Sequence, residues 1–155
     1  TERGQMSFGL LDFVQESNLI EGIRRAPAPA ELIAHELFLG LERPTLNDLS
    51  IFVAICQPGA VLRDQVGMDI RVGPHIPPLG GRKIRDDLES FLSGIGRTNW
   101  TAWSAHCYYE TLHPYTDGNG RSGRVLWLWM MGGIENAPLG FLHHWYYQTL
   151  QETRT

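Results

Sequence analysis

The amino-acid sequence predicts a mainly α-helical fold with one β-like interruption, and two observations carry this prediction. Apolar residues recur three or four positions apart over most of the chain, which is the spacing of amphipathic helices. Glycine and proline instead concentrate between positions 58 and 81, around a short run of β-forming residues at 68–72. The chain has 155 residues, the size of one domain with one core, so 1–155 is predicted to be a single domain.

The composition limits the functions that the chain can serve. Hydrophobic residues make up 43% and charged residues 19%, which is typical of a globular protein. The net charge is −4 and no run of Lys and Arg occurs, so direct binding to nucleic acid is not expected. The longest apolar run, 125–131, is too short to cross a membrane. Cys56 and Cys107 lie in apolar runs and suit reduced thiols of a cytosolic protein, so a cytoplasmic protein is expected.

Three helices are predicted in the first part of the chain. The first, over 10–25, has apolar residues along one face and ends before a run of alternating alanine and proline. The second, over 31–40, ends at a glycine. The third, over 45–56, begins with Thr45 and Asp48, which resemble a capping box with Asp in place of the usual Glu.

The second part of the chain begins with the Gly- and Pro-rich segment 61–81, which is predicted to be a hairpin or an extended loop. Helical spacing returns over 82–95, and a further helix is predicted over 99–112, where an asparagine can cap it and a proline follows it. After a glycine-rich turn, 122–131 is almost wholly apolar and is predicted to be a central, buried helix. A last helix is predicted over 141–150.

The segment 113–124, HPYTDGNGRSGR, combines residues that suit phosphate binding between two predicted helices. Gly118 and Gly120 allow backbone angles that other residues resist and let a ligand approach the main chain closely. The amino terminus of the following helix presents unpaired N–H groups and a partial positive charge to an anion. Arg121 and Arg124 are three residues apart and are expected to leave one helix face, where their guanidinium groups can grip a polyphosphate.

Three further side chains of this segment carry chemistry. Asp117 supplies the single carboxylate with which Mg²⁺ is usually held beside phosphate oxygens. Asn119 can donate an amide hydrogen bond to a phosphate oxygen. His113 titrates near neutral pH and can accept a proton from an attacking hydroxyl. A calcium loop, which also begins Asp-x-Asn, is excluded because Leu128 stands where its bidentate glutamate would be.

The sequence HPYTDGNGRSGR resembles the signature of Fic domains, His-Pro-Phe-x-Asp-Gly-Asn-Gly-Arg-x-x-Arg, and departs from it only at Tyr115, which replaces Phe. The resemblance implies the Fic fold, a helical bundle with a β-hairpin flap before the active-site loop. It also implies the family's typical activity, transfer of AMP from ATP to a tyrosine, serine or threonine hydroxyl of a target protein. The implied cofactor is Mg²⁺, and the implied partners are ATP and the target; whether the chain forms a homo-oligomer stays open.

The family's roles can be carried over position by position. The resemblance implies that His113 is the general base and that Asp117 binds Mg²⁺. The residues implied to hold the phosphates are Gly118, Asn119, Gly120, Arg121, Gly123 and Arg124. Gly120 favours AMP transfer, because a phosphorylating branch of the family carries lysine at this position.

A second motif, SNLIEG at 17–22, resembles the family's inhibitory helix, Ser/Thr-x-x-x-Glu-Gly/Asn. Ser17 and Glu21 are four residues apart and therefore share a helix face. The resemblance implies an inhibitory helix of about 10–25, in which Glu21 pairs with Arg124 and takes the place of the γ-phosphate. The isolated enzyme would then be largely autoinhibited.

A flap is predicted at about 66–76, where the family presents its target by adding a strand through main-chain hydrogen bonds. Tyr146 and Tyr147 are weak candidates for the adenine site, because they resemble a late segment of the family. Three alternatives stay open. The chain could be an enzyme of the same fold that removes AMP or transfers another phosphate-containing group, a non-catalytic nucleotide-sensing regulatory module, or half of a toxin system that arrests growth.

Overall fold

The computed structural model of the protein describes residues 9–97 and 100–136. Over these residues the chain forms six α-helices, so the prediction of a mainly α-helical fold is confirmed. The helices are α1 (Leu10–Ile20), α2 (Pro29–Leu39), α3 (Leu46–Cys56), α4 (Arg82–Gly94), α5 (Ala102–Leu112) and α6 (Asn119–Met130). A short 3-10 helix, Ile134–Asn136, follows α6.

The helix boundaries agree with the sequence where capping residues mark them. At the start of α3 the Asp48 N–H donates to Thr45 Oγ1 (3.2 Å) and the Thr45 N–H donates to Asp48 Oδ2 (3.0 Å), which is the predicted capping box. α2 begins earlier than predicted, at Pro29, because the first turn of a helix tolerates a residue without an N–H group. α6 also begins earlier, at Asn119 rather than residue 122, so the first motif arginine is already helical.

The helix predicted to be central and buried, α6, packs against α1, α2, α3 and α5. Val125, Leu126 and Leu128 of this helix are at most 1% exposed, and burial of such side chains is the main source of stability in the core. Trp127 of α6 stacks on Phe13 of α1, with the ring centroids 6.5 Å apart. The amino-terminal half of α1 is thereby attached to α6 through apolar contacts.

The connection between α3 and α4 is an extended loop, which is one of the two forms predicted for residues 61–81. Val72 and His75 make one isolated antiparallel bridge, with two backbone hydrogen bonds of 2.9 Å. A second isolated bridge joins Leu62 to Tyr115 of the active-site segment. The segment 66–76 is therefore a loop with a single bridge, because frequent glycine and proline interrupt the backbone pairing that a strand ladder needs. Its role as a flap that presents the target stays a prediction.

Several predictions fall on residues that the structure does not describe. These are Asn99, the helix over 141–150 and the adenine-site candidates Tyr146 and Tyr147. The N-cap of α5 is Thr101, whose Oγ1 accepts from the Ser104 N–H at 3.0 Å, so this helix begins later than the predicted residue 99. Within residues 9–97 and 100–136, none of the helices combines the length and the apolar character that crossing a bilayer requires.

Candidate functional site

The segment 113–124 joins α5 to α6 through a turn that is framed by two left-handed residues. His113 is the C-cap of α5, with φ of 50° and ψ of 62°, and its N–H donates to the Tyr109 carbonyl at 2.9 Å. Gly118 is the N-cap of α6, with φ of 78°. A left-handed residue other than glycine costs about 1–3 kcal/mol, and such strain persists only where surrounding contacts enforce it.

The contacts that enforce the conformation of His113 come from Arg63, a residue that its sequence context gave no reason to select. The side chain of Arg63 is fully buried, and its guanidinium donates to four backbone carbonyls of the described residues. Those carbonyls belong to His113 (2.7 Å) and to Leu112, Met68 and Pro78 (each 3.0 Å). Burial lowers the pKa of Arg63 from its usual value. Arg63 thus fastens the end of α5 to the loop between α3 and α4.

The imidazole of His113 is oriented by the last turn of α5. Nδ1 of His113 lies 3.2 Å from the carbonyl oxygen of Glu110. A carbonyl oxygen can only accept, so this hydrogen bond requires the proton on Nδ1 and places the basic lone pair on Nε2. The side chain is half-buried. Nε2 is therefore the atom with which His113 can take a proton from a hydroxyl.

The side-chain amide of Asn119 closes the turn with two hydrogen bonds to the backbone of Tyr115. Its Oδ1 accepts from the Tyr115 N–H (2.9 Å), and its Nδ2 donates to the Tyr115 carbonyl (2.8 Å). The amide that was predicted to reach a phosphate therefore holds the loop in shape. The Tyr115 hydroxyl, absent from the family's usual phenylalanine, hydrogen-bonds Ser50 Oγ of α3 at 2.7 Å. Burial raises the pKa of Tyr115 to about 12.

The contact between α5 and α6 is close and polar, and Gly123 lies within it. A Cβ atom at Gly123 would collide with the carboxylate of Glu110. His106 Nδ1 lies 2.9 Å from the Gly123 carbonyl, and the Tyr109 hydroxyl lies 2.7 Å from Ser122 Oγ. Gly123 thus packs against α5, and its missing side chain allows the two helices to approach. The binding of phosphate by Gly123 stays a prediction.

Arg124 is the motif arginine that faces α1. It is 1% exposed, and its Nε donates to Ser17 Oγ at 2.7 Å. Its Nη2 donates to the Ser17 carbonyl at 3.0 Å and to Glu21 Oε2 at 2.6 Å. The structure therefore contains the contact between Glu21 and Arg124 that the resemblance implied, while its effect on activity stays a prediction.

Arg121 has different partners, although it was predicted to act together with Arg124. Its Nη1 donates to the Cys56 carbonyl at 2.9 Å, and its Nη2 donates to Gln57 Oε1 at 2.5 Å. These groups lie at the carboxyl end of α3, where helix carbonyls lack partners and a cation is favoured. The binding of phosphate by Arg121 stays a prediction, and it would require the guanidinium to leave these groups.

The carboxylate of Glu21 lies against the first turn of α6. A Cβ atom at Gly120 would collide with Glu21 Oε2, so the carboxylate occupies the space directly over this glycine. The first-turn N–H groups of α6 and the guanidinium of Arg124 both favour an anion at this place. The chain thus supplies its own anion to the site that was predicted for a phosphate.

The end of α1 explains how Glu21 is presented. α1 ends at Ile20, before the predicted residue 25, because a Schellman motif closes it. The Ile23 N–H donates to the Asn18 carbonyl (3.0 Å), and Gly22 adopts a left-handed φ of 80°. Glu21 is the C-cap, so its backbone position is fixed by the helix end, and the glycine of the SNLIEG motif has a defined conformational role.

Asp117 is exposed in the turn, where its Oδ1 accepts from the Gly118 N–H at 2.8 Å. Among the described residues, no group of three or more His, Cys, Asp and Glu side chains is arranged to hold a metal ion. One exposed carboxylate beside an anion site still fits Mg²⁺, because this ion commonly binds one or two carboxylates together with substrate phosphate oxygens.

The model of the Fic/DOC family matches residues 82–131, which comprise α4, α5 and α6 with the turn between the last two. The family predicted from the segment 113–124 is therefore confirmed over this part of the chain. The match supports a nucleotidyl-transfer type of function in general, and members of the family are commonly enzymes that transfer nucleotide or phosphate groups. α1 and the loop at 66–76 lie outside the match, so the subgroup with an amino-terminal inhibitory helix stays a prediction.

Proposed function

Starting from the Fic/DOC match over residues 82–131, we propose that the chain transfers AMP from ATP to a hydroxyl side chain of a target protein in a Mg²⁺-dependent reaction. The observation that supports this most is the position of the Glu21 carboxylate, which lies against Gly120 and is paired with Arg124. Because a carboxylate is an anion, its place marks a site that suits a phosphate oxygen. His113 ends the helix before the same turn, where a general base is needed.

In the proposed reaction, the oxygen of the target hydroxyl attacks the α-phosphorus of ATP and forms a new O–P bond. The bond between the α-phosphorus and the oxygen that bridges to the β-phosphate breaks, and pyrophosphate leaves with that electron pair. Nε2 of His113 accepts the proton of the hydroxyl. The hydrogen bond from Nδ1 to the Glu110 carbonyl orients the imidazole and keeps the lone pair on Nε2.

The phosphates of ATP would lie over the amino end of α6. There the first-turn N–H groups and Arg124 stabilise negative charge, and a bare Gly120 leaves room for a phosphate oxygen. Mg²⁺, held by Asp117 and phosphate oxygens, would neutralise part of the phosphate charge. The cytoplasm, which contains ATP, is the compartment that suits this reaction.

The same arrangement makes the chain its own inhibitor. While Glu21 is paired with Arg124, the γ-phosphate cannot occupy that place, because two anions would compete for one guanidinium. The Glu21 side chain is 36% exposed, so it can leave toward solvent when a nucleotide phosphate replaces it. We therefore expect the isolated protein to be largely inactive.

Self-modification of the Glu21→Gly variant, measured with Mg²⁺ and with ATP labelled at either the α- or the γ-phosphate, tests the proposal. We expect label from the α-phosphate only, and intact-protein mass spectrometry should identify the adduct as AMP. The rate should exceed that of the parent by about tenfold or more, equivalent to about 1.4 kcal/mol. A variant that is no more active than the parent would refute the inhibitory role of Glu21.

The control places His113→Ala in the Glu21→Gly background. Loss of a general base should lower the rate by about 10²–10⁴-fold while ATP still binds. Incorporation of the γ-phosphate would identify a phosphotransferase instead of an adenylyltransferase. ATP binding without any labelling, with or without His113, would identify a nucleotide-sensing module.

A further inference from the structure

Glu31, in the first turn of α2, is a buried carboxylate with partners from separate parts of the chain. It is 4% exposed. Arg25 binds it in a bidentate manner, from Nη1 to Oε1 (3.0 Å) and from Nη2 to Oε2 (2.8 Å). The Ala28 N–H also donates to Oε1 (2.9 Å), so Glu31 caps the amino end of its own helix. Arg25 is the main reason that the pKa of Glu31 is lowered to about 2.

The same carboxylate is close to the active-site helix. Glu31 Oε2 lies 3.7 Å from Arg121 Nη1. The side chain of Arg121 is 4% exposed, whereas that of Arg25 is 54% exposed. Glu31 therefore lies between a buried cation on α6 and a cation that reaches the surface just after α1.

Asn18 connects Glu31 to the turn that presents Glu21. The side-chain amide of Asn18 donates to Glu31 Oε1 at 3.3 Å. Its backbone carbonyl accepts the N–H groups of Glu21 (2.9 Å) and Ile23 (3.0 Å), which are the hydrogen bonds that end α1. Since Arg25 lies four residues after Glu21, the turn is attached to Glu31 on both sides of the inhibitory carboxylate.

We propose that Glu31 is a positioning residue for the inhibitory helix. It holds Asn18 and Arg25 together, fixes the turn between them, and so keeps Glu21 directed at Arg124. This inference rests on the proposed function, because it concerns the regulation of the same site. According to this inference, a change at the surface residue Arg25 weakens inhibition even though Arg25 does not contact Glu21.

Arg25→Gln is the variant that tests this inference most cleanly. After this change, Glu31 keeps Arg121 and Asn18 as neighbours, so no buried charge loses all of its partners. Glu31→Gln would instead remove the carboxylate beside the buried Arg121 and could disturb the fold for that reason alone.

We expect Arg25→Gln to raise self-modification with ATP and Mg²⁺ by about threefold to tenfold, which is the effect of losing one coupled contact. The rate should stay below that of Glu21→Gly. Arg25→Lys keeps the positive charge but cannot form the bidentate pair, so its rate should lie between those of the parent and Arg25→Gln. Lys83→Gln is the matched control, because Lys83 pairs with Asp87 at 2.9 Å on the surface of α4, and it should leave the rate unchanged.

The double variant Arg25→Gln/Glu21→Gly shows whether Arg25 acts by positioning Glu21 or by stabilising the fold in general. In that background Arg25→Gln should change nothing further, because the carboxylate that it positions is gone. A variant that only damages the protein would lower the rate in both backgrounds. ATP affinity, measured by titration without target, should increase in Arg25→Gln and stay constant when Arg25→Gln is added to Glu21→Gly.

The outcomes distinguish this inference from the proposed function. If Glu21→Gly is active but Arg25→Gln matches the parent in rate and in ATP affinity, the role of Glu31 is wrong and the proposed function stands. If Glu21→Gly transfers no AMP, the proposed function is wrong. The ATP titration of Arg25→Gln then decides the role of Glu31 by itself, since an unchanged affinity overturns it.

Discussion

Two of the four helices that α6 packs against, α5 and α1, hold it in different ways. On the α5 side, Tyr109 and Ser122 are fully buried and hydrogen-bond each other at the centre of the contact. On the α1 side, Phe13 and Trp127 are buried at one end, but the Glu21 side chain at the other end is 36% exposed. Regions with exposed polar contacts open at lower free energy than packed ones. The difference indicates that α5 is a fixed scaffold for α6 and that the carboxyl end of α1 can separate from it.

If α1 opens as proposed, one anion must replace another beside Arg124. Arg124 is 1% exposed, and a buried cation that loses its anionic partner costs several kcal/mol, about 3–5. Glu21 can regain hydration outside, whereas Arg124 needs another anion in its place. In the proposed function a nucleotide phosphate would supply that anion, so the closed and open forms of the site should each have one negative group beside Arg124.

Two alanine substitutions on α6 compare the two sides directly. Gly123→Ala inserts a Cβ toward the carboxylate of Glu110, which is 2% exposed and enclosed in the α5 contact. Overpacking of this kind costs about 1–3 kcal/mol, and we expect a clear loss in the free energy of unfolding and in Tm. Chemical denaturation with urea, monitored by tryptophan fluorescence, measures it.

Gly120→Ala is the matched change on the α1 side. The new Cβ meets the carboxylate of Glu21, the far end of a partly exposed side chain that can shift toward solvent and still remain beside Arg124. Alanine also gains up to about 1 kcal/mol of helix propensity over glycine. We expect stability within about 1 kcal/mol of the parent, together with faster amide hydrogen exchange at the end of α1. Equal destabilisation by the two variants would contradict the distinction between α5, the fixed side of α6, and the carboxyl end of α1, the releasable side.

The parts of the molecule that the sequence predicts well are those that depend on neighbours in sequence. The capping box of Thr45 and Asp48 marks the start of α3, and the segment 113–124 could be selected because its residues are contiguous. Arg63 and Glu31 could not be selected. Each is a charged residue in a segment rich in proline or glycine, where solvation is the usual expectation, and only the tertiary fold supplies its buried partners.

The end of the first helix was predicted wrongly for a local reason. The helix was predicted to reach residue 25, where the alanine- and proline-rich run begins, but Gly22 adopts a left-handed φ and α1 ends at Ile20. For residues 61–81 a hairpin or an extended loop was predicted, and the structure has a loop with a bridge between Val72 and His75.

The end of α1 offers a smaller test of the releasable side. Gly22 has φ of 80° and open space where a Cβ would be, so a substitution there changes backbone preference without a clash. Gly22→Val should disfavour the left-handed turn by about 1–2 kcal/mol, loosen the presentation of Glu21 and raise self-modification with ATP. Gly22→Asn is the control, because asparagine tolerates this conformation, and it should resemble the parent. Equal activity of the valine and asparagine variants would count against the turn as the support of Glu21.

The smallest effect is expected on the fixed side, at the hydrogen bond between Tyr115 and Ser50. Tyr115→Phe should lower the free energy of unfolding by about 0.5–1.5 kcal/mol near neutral pH and leave the activity of the Glu21→Gly form unchanged. Burial raises the pKa of Tyr115 from 10 to about 12. Its contribution to stability is therefore complete below pH 10 and is lost as the pH rises toward 12.

Urea denaturation at several pH values between 9 and about 12 measures this contribution. Tyr115→Phe should lose less stability than the parent over that range, because the phenol that resists ionisation in the folded state is absent. Ser50→Ala removes the same hydrogen bond but keeps the buried phenol, so it should remain sensitive to alkali. If Tyr115→Phe and the parent lost stability in parallel, Tyr115 would not be the group that titrates, and its contact with α3 would contribute less to the fixed side than its burial indicates.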